Sequence, residues 1–295
     1  MRKKSVSGER LAVSGKQARS ANDRLIAATV RTFLCLVVLP LTAYRSPLTA
    51  VQIQDNSFLV EEAYNQESGV VQHISTFARP SGGDAWAYSF TQEWPLGGIS
   101  HQLSYTIPVE NIEGFGTGIG DVALNYRHQL LGNPEAATVF APRLSLLLPT
   151  GDHEEGRGAG AVGLQTNLPL SLVLAPYLVT HWNAGATLTP SARSPLGEEA
   201  TTASFNLGAS AIWLVHPSFN LMVEALWLST ASVVSAGRTG RDESVLLNPG
   251  FRGAFNLAND LQIVPGVAYT FDLGSGPDED ALFVYLSFEH PFKHQ

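Results

Sequence analysis

The chain has 295 residues, of which 18 are basic and 26 acidic, so its formal net charge is −8 at neutral pH. Its single cysteine, Cys35, excludes an internal disulfide, a structural zinc site built from cysteines and, once the segment that contains it is removed, cysteine catalysis. Nine of the basic residues but only two of the acidic ones fall within the first 50 positions, so the rest of the chain is strongly acidic.

Residues 1–50 have the pattern of a basic N-terminus and export signal. Basic residues precede an apolar run at residues 32–43, which is too short to span a bilayer but suits a signal-peptide core. Cleavage is expected after Ala43 or Ala50, and a membrane anchor is the alternative. No later stretch is long and apolar enough for a transmembrane helix. Without a transmembrane helix, the rest of the chain can span a membrane only as a closed β-sheet, because such a sheet satisfies its own backbone hydrogen bonds in lipid.

From Val70 onward, apolar and polar residues alternate at period two in segments of roughly ten residues. In one segment Leu144 and Leu146 alternate with Arg143 and Ser145. Twelve strands are predicted, at residues 70–79, 84–94, 98–109, 119–131, 136–150, 160–173, 176–188, 201–215, 218–230, 244–256, 260–271 and 281–292. The alternative is a barrel of fourteen strands, in which one boundary between strands has been overlooked. A strand-like piece at residues 58–64 would give an odd number, so residues 51–69 are assigned to a periplasmic or lumen-entering segment.

The predicted fold is all-β: a transmembrane, antiparallel, up-and-down β-barrel at residues 70–292, in the outer membrane of a Gram-negative bacterium. Short turns alternate with longer polar connections, which lie at residues 110–118, 150–160, 189–200, 232–243 and 272–280. Short turns face the periplasm in such barrels and long loops face outward. The last strand therefore descends to the periplasm, and its terminal aromatic residue, Phe292, is expected to be recognised by the barrel assembly machinery.

Three stretches resemble one family of outer-membrane proteins. They are GFGTGIGDVALNYRHQLL at residues 114–131, APRLSLLLPTG at residues 141–151 and EEAYNQESGVVQH at residues 61–73. Together they are similar to the outer-membrane proteins assigned to the meta-pathway of phenol degradation, and the resemblance covers most of residues 58–292. It implies an outer-membrane channel or transporter-like protein for small organic compounds, aromatic or apolar ones included. It brings no catalytic residues.

Charged and amide side chains on the polar faces of the strands are candidates for lining the lumen. These candidates are Arg127, Arg143, Arg252, Glu93, Asp121, Glu224 and Asn125. A charge inside a barrel must be paired or hydrated. The set is equally compatible with salt bridges that plug a narrow barrel and with a constriction that filters solutes, because twelve strands leave limited interior room.

Three functions are compatible with these patterns. The leading hypothesis is a monomeric, passive channel for small organic solutes. The second is a structural or surface-interaction barrel with a closed lumen. The third, an outer-membrane lipid hydrolase, needs a serine beside a histidine, and the neighbours Ser100 and His101 would point to opposite faces of a strand. No enzymatic activity, cofactor, metal site or nucleic-acid partner is predicted, and outer-membrane lipid and lipopolysaccharide are the expected surroundings.

Overall fold

The computed structural model describes residues 56–133, 136–274 and 279–291, all within one compact unit, Leu48–Gln295. The predicted export signal and Phe292 lie outside the described residues. The first strands are β1 (Val70–Pro80), β2 (Trp86–Pro95), β3 (His101–Ile112), β4 (Gly116–Ile119), β5 (Val122–His128), β6 (Thr138–Phe140), β7 (Arg143–Leu148) and β8 (Gly163–Asn167). They are followed by β9 (Leu170–Ala175), β10 (Leu178–Arg193), β11 (Glu199–His216), β12 (Phe219–Ser235), β13 (Arg238–Gly253), β14 (Phe255–Asn256), β15 (Gln262–Asp272) and β16 (Ala281–Pro291).

The strands form one closed antiparallel sheet. Each strand pairs mainly with its neighbour in sequence, β1 pairs with both β2 and β16, and β10 pairs with β11. The short pieces β4, β6, β9 and β14 continue the wall strands β5, β7, β8 and β13, so the wall has 12 strands. The predicted 12-stranded, all-β barrel is confirmed. We call the end at which β1 begins and β16 ends the terminal end, and the opposite end the loop end.

Proline explains two of the breaks within wall strands. Pro142 separates β6 from β7, and Pro169 separates β8 from β9. Proline lacks the N–H that a ladder hydrogen bond requires, so the pairing is interrupted at these positions. Both breaks lie near the terminal end, where segment 56–69 packs against the wall.

The two faces of the wall differ sharply in polarity. On β7, Leu144 is 51% exposed and Leu146 is 38% exposed, whereas Ser145 between them is fully buried. The exposed leucines point away from the barrel and the serine points into it, since successive side chains of a strand alternate between faces. Exposed Leu, Val, Phe, Tyr and Trp side chains recur on the outer face of the other strands. An apolar exterior around a polar interior is the arrangement of a transmembrane barrel.

Three loop predictions are wrong. The long loops expected at residues 110–118, 189–200 and 232–243 are extended hairpins. β3 runs to Ile112 and pairs with β4 from Gly116, β10 runs to Arg193 before β11 starts at Glu199, and β12 runs to Ser235 before β13 starts at Arg238. Polar cross-strand contacts support these extensions, among them an Arg193–Glu199 ion pair with 3.0 Å between Nε and Oε1. A strand that leaves the bilayer no longer needs an apolar face, so its alternating pattern fades while its pairing continues.

Helical structure among the described residues is limited to two 3-10 turns, His153–Glu155 and Ala258–Asp260. No helix in the described part of the chain is long and apolar enough to cross a membrane.

Candidate functional site

Segment 56–69, which precedes β1, lies against the inner face of the wall. One anchor is the fully buried Glu224 of β12. Its Oε1 accepts hydrogen bonds from three consecutive backbone N–H groups, those of Phe58 (3.1 Å), Leu59 (2.8 Å) and Val60 (2.8 Å). Its other oxygen accepts one from the side chain of Asn248 at 2.7 Å. A carboxylate can remain in a buried site when several donors replace its lost water, so Glu224 holds the segment by its backbone.

A second anchor is the Glu61 side chain on the segment itself. Its Oε1 lies 2.6 Å from Arg127 Nη2, and its Oε2 lies 2.9 Å from Arg143 Nε. Asn167 also donates to Glu61 Oε2 at 2.6 Å. Burial raises the pKa of the Glu61 carboxyl, but the charges of Arg143 and Arg127 outweigh that effect and bring the pKa to about 2. Glu61 is therefore ionised at neutral pH and joins β5, β7 and β8 to the segment.

Asn183 of β10 binds the backbone of Glu61. Its Oδ1 accepts from the Glu61 N–H at 2.7 Å, and its Nδ2 donates to the Glu61 carbonyl at 2.7 Å. An asparagine used in this way satisfies both backbone groups of an extended residue, as a neighbouring strand would. The segment thus needs no strand pairing at Glu61 to remain inside the barrel.

The segment continues toward β3 through further side-chain contacts. The Ala63 N–H donates to Ser171 Oγ at 2.8 Å, and Ser171 Oγ lies 2.7 Å from His181 Nδ1. The Gln66 N–H donates to Gln102 Oε1 at 2.6 Å. Ser171 and His181 are a serine–histidine pair of the kind the hydrolase hypothesis requires. Both are buried beneath the segment, at 1% and 0% exposure, so the contact positions the segment.

Phe58 packs the start of the segment against the wall on the side of the first and last strands. Its ring centroid lies 5.5 Å from that of Phe283 and 5.3 Å from that of Tyr285. A Cβ atom added to Gly266 would come 2.6 Å from Phe58 Cζ, and one added to Gly250 would come 2.9 Å from Phe58 Cε2. The absence of side chains at these two glycines therefore leaves the space that the Phe58 ring occupies.

Two cavities remain beside the segment. The larger, about 500 Å³, lies between segment 56–69 and strands β1, β2, β3, β5, β7, β8 and β16. The smaller, about 330 Å³, lies between the segment and strands β7, β8, β10, β11 and β12. Glu61 and Arg143 contact both cavities. The segment thus divides the space inside the barrel without filling it.

The larger cavity has both polar and aromatic lining. Neighbouring strands contribute linked hydroxyl groups, such as Thr76 with Ser89 at 2.7 Å between oxygens and Thr91 with Thr106 at 2.8 Å. Phe58, Phe283 and Tyr285 offer aromatic surface to the same cavity, and Tyr285 is the register partner of Thr76 on the adjacent strand. The cavity therefore offers both apolar surface and hydrogen-bonding groups to a molecule of a few hundred Å³.

The structure brings most of the sequence-predicted site residues to this region and separates others from it. Glu93, Asn125, Arg127 and Arg143 line the larger cavity. Glu224 holds the segment, as described above, and Arg252 of β13 is buried at 2% exposure.

Asp121 lies at the loop end. It accepts hydrogen bonds from the backbone N–H groups of Gly151 at 3.0 Å and Ala159 at 2.7 Å. Asp121 thus fixes the connection between β7 and β8.

The sequence argument missed several residues of the site, among them Glu61, Asn167 and Asn183. Glu61 lies in the piece at residues 58–64, whose acidic side chain beside apolar ones was a signal that it needed a basic partner. Asn167 and Asn183 carried no such signal, because polar side chains on a lumen face are common in barrels.

Comparisons with known proteins support the fold. No family model matches the chain, and no curated protein does. Among solved structures, the chain is similar to the COG4313 outer membrane channel from Pseudomonas putida F1, with a TM-score of 0.56 and 12% identity over 78% of this chain and 98% of that chain. The KdgM porin is more distant, with a TM-score of 0.47 and 6% identity over 75% of this chain and 99% of that chain.

These findings define the class of protein. The closed 12-stranded wall, its apolar exterior and the likeness to the first of these structures identify an outer-membrane-type β-barrel with a porin-like fold. At such low identity, the likeness to that channel extends to the fold alone.

Proposed function

We propose that this protein is an outer-membrane channel for the passive passage of small organic solutes, and that segment 56–69 is its gate. The observation that carries the proposal is the pair of cavities beside a segment that is held inside the barrel by side-chain contacts. Passage from one end of the barrel to the other requires the segment to move. The anchors at Glu61 and Glu224 set how readily it does so.

The chemistry of the larger cavity supports the solute class. A molecule with an apolar ring and one or two hydrogen-bonding groups matches a cavity whose lining combines aromatic surface with hydroxyl groups. A strongly charged solute would compete with Glu61 for Arg127 and Arg143. We therefore assign the channel to small uncharged organic molecules, aromatic ones included.

We further propose that the predicted lumen-lining residues divide into two groups. Arg127, Arg143, Asn125 and Glu93 line the solute path beside the gate, and Glu224 with Arg252 supports the opposite side. The protein acts as a monomer in the outer membrane of a Gram-negative bacterium, with lipid and lipopolysaccharide around its apolar wall. The barrel assembly machinery recognises its last strand, β16 with the aromatic residue that follows it.

Liposome swelling tests this function. Purified protein is reconstituted in liposomes and challenged with three solutes that cross lipid slowly, at matched osmolarity: phenyl β-glucoside as an uncharged aromatic solute, a monosaccharide, and gluconate as a charged solute. A variant that lacks residues 56–66 serves as the open reference. We expect phenyl β-glucoside to pass fastest through the wild-type protein and every solute to pass through the deletion variant. Equal rates for wild-type and protein-free liposomes, together with rapid swelling of the variant, would refute passage through the native lumen.

A closed structural barrel is the second candidate, and the strength of the anchors favours it. Two arginines, an asparagine and a buried glutamate together hold a short segment. If the gate never opens, the wild-type protein is silent in every transport assay while remaining folded. Heat-modifiable migration on a gel verifies folding, so a silent and folded barrel supports this second function.

A further inference from the structure

Two histidines meet on the outer face of the barrel near the terminal end. His73 lies on β1 and His290 on β16, and their Nε2 atoms are 3.2 Å apart. The ring centroids are 5.3 Å apart with 19° between the ring planes. The register pairs His73 with Phe288 and His290 with Val71, so the two histidines are diagonal neighbours across the seam between the first and last strands.

The hydrogen bond of His290 fixes which of its nitrogens carries the lone pair. His290 Nδ1 lies 3.2 Å from the carbonyl oxygen of Pro291, and a carbonyl can only accept. Nδ1 therefore carries the proton in the neutral ring, and Nε2 presents its lone pair toward His73. In metal-binding histidines, the N–H of the nitrogen that does not bind the metal commonly donates a hydrogen bond to a backbone carbonyl. This bond fixes the orientation of the ring.

The distance between the two nitrogens matches a shared metal ion. Zinc–nitrogen bonds of about 2.0–2.1 Å at a tetrahedral angle separate two nitrogen ligands by roughly 3.3 Å. We propose that His73 and His290 form a two-histidine site for a divalent transition metal such as Zn²⁺ or Cu²⁺. The ion joins the first strand to the last at the barrel seam, a role that the sequence did not predict.

The surroundings limit which ions bind. Within the described residues no group of three or more His, Cys, Asp or Glu side chains suited to a metal occurs, so the two imidazoles are the protein ligands that the described residues supply here. Imidazole suits Zn²⁺ and Cu²⁺, whereas Mg²⁺ and Ca²⁺ prefer oxygen ligands. Without metal, His73 Nε2–H donates to His290 Nε2. Metal binding requires the tautomer of His73 that carries its proton on Nδ1, and no net proton is lost.

A second histidine pair on the outer face provides a matched control. His101 and His128 stack with their centroids 4.5 Å apart, and His101 Nδ1 is engaged by the Tyr126 hydroxyl at 2.7 Å. This pair has the same residue types on adjacent strands, near the same end of the barrel. The ring planes are inclined by 18° in this pair and by 19° in the His73–His290 pair, but its centroids are closer, at 4.5 Å against 5.3 Å. The closer overlap of the rings leaves less room for an ion between their nitrogens, so this pair should bind a metal ion far more weakly.

The test uses the folded protein in detergent, titrated with Zn²⁺ by equilibrium dialysis and with Cu²⁺ by electron paramagnetic resonance. We expect about one Zn²⁺ per chain and a Cu²⁺ spectrum with two coordinated nitrogens. H73Q and H290Q should each weaken binding roughly tenfold or more, whereas H101Q should not. Heat-modifiable migration verifies that every variant is folded. Absence of Zn²⁺ binding by the wild-type protein, or loss of binding in H101Q with retention in H73Q, would overturn the proposal.

A stability measurement gives an independent readout. An ion that binds only the folded barrel raises its unfolding temperature by mass action. Zn²⁺ should therefore raise the temperature of heat modification in the wild-type protein and in H101Q, but not in H73Q or H290Q. An equal rise in all four proteins would show binding elsewhere and contradict a metal site at the seam.

Discussion

At the scale of single residues, the position of segment 56–69 depends most on Glu61. The Arg127 side chain that faces it is 5% exposed, and the Glu61 side chain is 18% exposed. A buried arginine that loses its carboxylate keeps the cost of leaving water without the compensating attraction. Removal of Glu61 therefore affects the segment more than removal of an exposed charge would.

The first prediction concerns Glu61→Gln. The substitution keeps the shape of the side chain and removes its charge, which should weaken the hold on the segment by about 3 kcal/mol. In planar bilayers we expect the fraction of time spent in a conducting state to rise clearly above that of the wild-type protein. Glu62→Gln is the matched control, because Glu62 forms no ion pair with any residue in the described part of the chain. Identical gating of Glu61→Gln and the wild-type protein would contradict the anchor.

The second prediction is a dependence on pH. The pKa of Glu61 lies at about 2, below its ordinary value of 4.5, so its stabilisation of the closed segment is complete above about pH 4.5 and is lost as the pH falls toward 2. The full effect is worth about 3 kcal/mol. Burial raises the pKa of the neighbouring Glu62 carboxyl, so the titration of Glu62 changes stability with pH in the opposite direction to that of Glu61. The pH dependence is therefore measured in a Glu62→Gln background. The part of the conductance that depends on Glu61 is the difference between this background and the same background with Glu61→Gln. That difference should be constant from pH 8 to 5 and shrink below about pH 4.5, because Glu61 is then protonated and both proteins lack its charge. A difference that already shrinks near neutrality would exclude Glu61 as the titrating group.

The third prediction concerns ion selectivity. Arg143 contacts both cavities, and its removal leaves the Glu61 carboxylate as a nearby negative charge. Arg143→Ala should shift the reversal potential in a salt gradient toward cation selectivity while folding stays nearly intact, since lumen positions tolerate substitution better than lipid-facing ones. Gln165→Ala changes a neutral neighbour in the same cavities and should leave the reversal potential unchanged. An unchanged potential in Arg143→Ala would remove Arg143 from the ion path.

At the scale of elements, the alternation of side chains along each strand is what made the wall predictable. Leu144, Ser145 and Leu146 show the rule, because a period of two fixes which side chains face lipid once the strand is recognised. The path of segment 56–69 could not be read in this way. Its backbone is held by side chains from distant strands, such as Glu224 and Asn183, and a single sequence does not show which residues meet across a lumen.

The fourth prediction tests the register of β7. Leu146 lies beside Leu124 and Leu164 on the outer face. Leu146→Arg should destabilise the barrel by about 2–4 kcal/mol if the position lies near the middle of the bilayer. Unfolding in urea with lipid vesicles measures the loss, and Leu146→Ala controls for removal of the side chain alone. A harmless Leu146→Arg would mean that the two faces of this strand are reversed.

At the scale of the whole molecule, two features underlie the proposed function: a wall that lipid can surround and a lumen divided by segment 56–69. The wall follows from twelve alternating strands, which the sequence predicted. The division of the lumen follows from a few buried polar contacts between the segment and the wall. A channel and a closed barrel therefore share one wall and differ only in whether segment 56–69 moves.

A reversible lock on that segment tests the gate most directly. Ser57 Oγ and Ser210 Oγ lie 2.7 Å apart, one on the segment and the other on β11. Cysteine at both positions, in a chain whose Cys35 is replaced by serine, should form a disulfide that fixes the segment to the wall. The solute flux of this variant in liposomes is then measured before and after reduction. The solute is phenyl β-glucoside, an uncharged aromatic compound too polar to cross lipid rapidly. We predict that its flux in the oxidised protein equals that of protein-free liposomes and recovers to the wild-type value after reduction, whereas equal flux in both states of the protein would contradict a gate at residues 56–69.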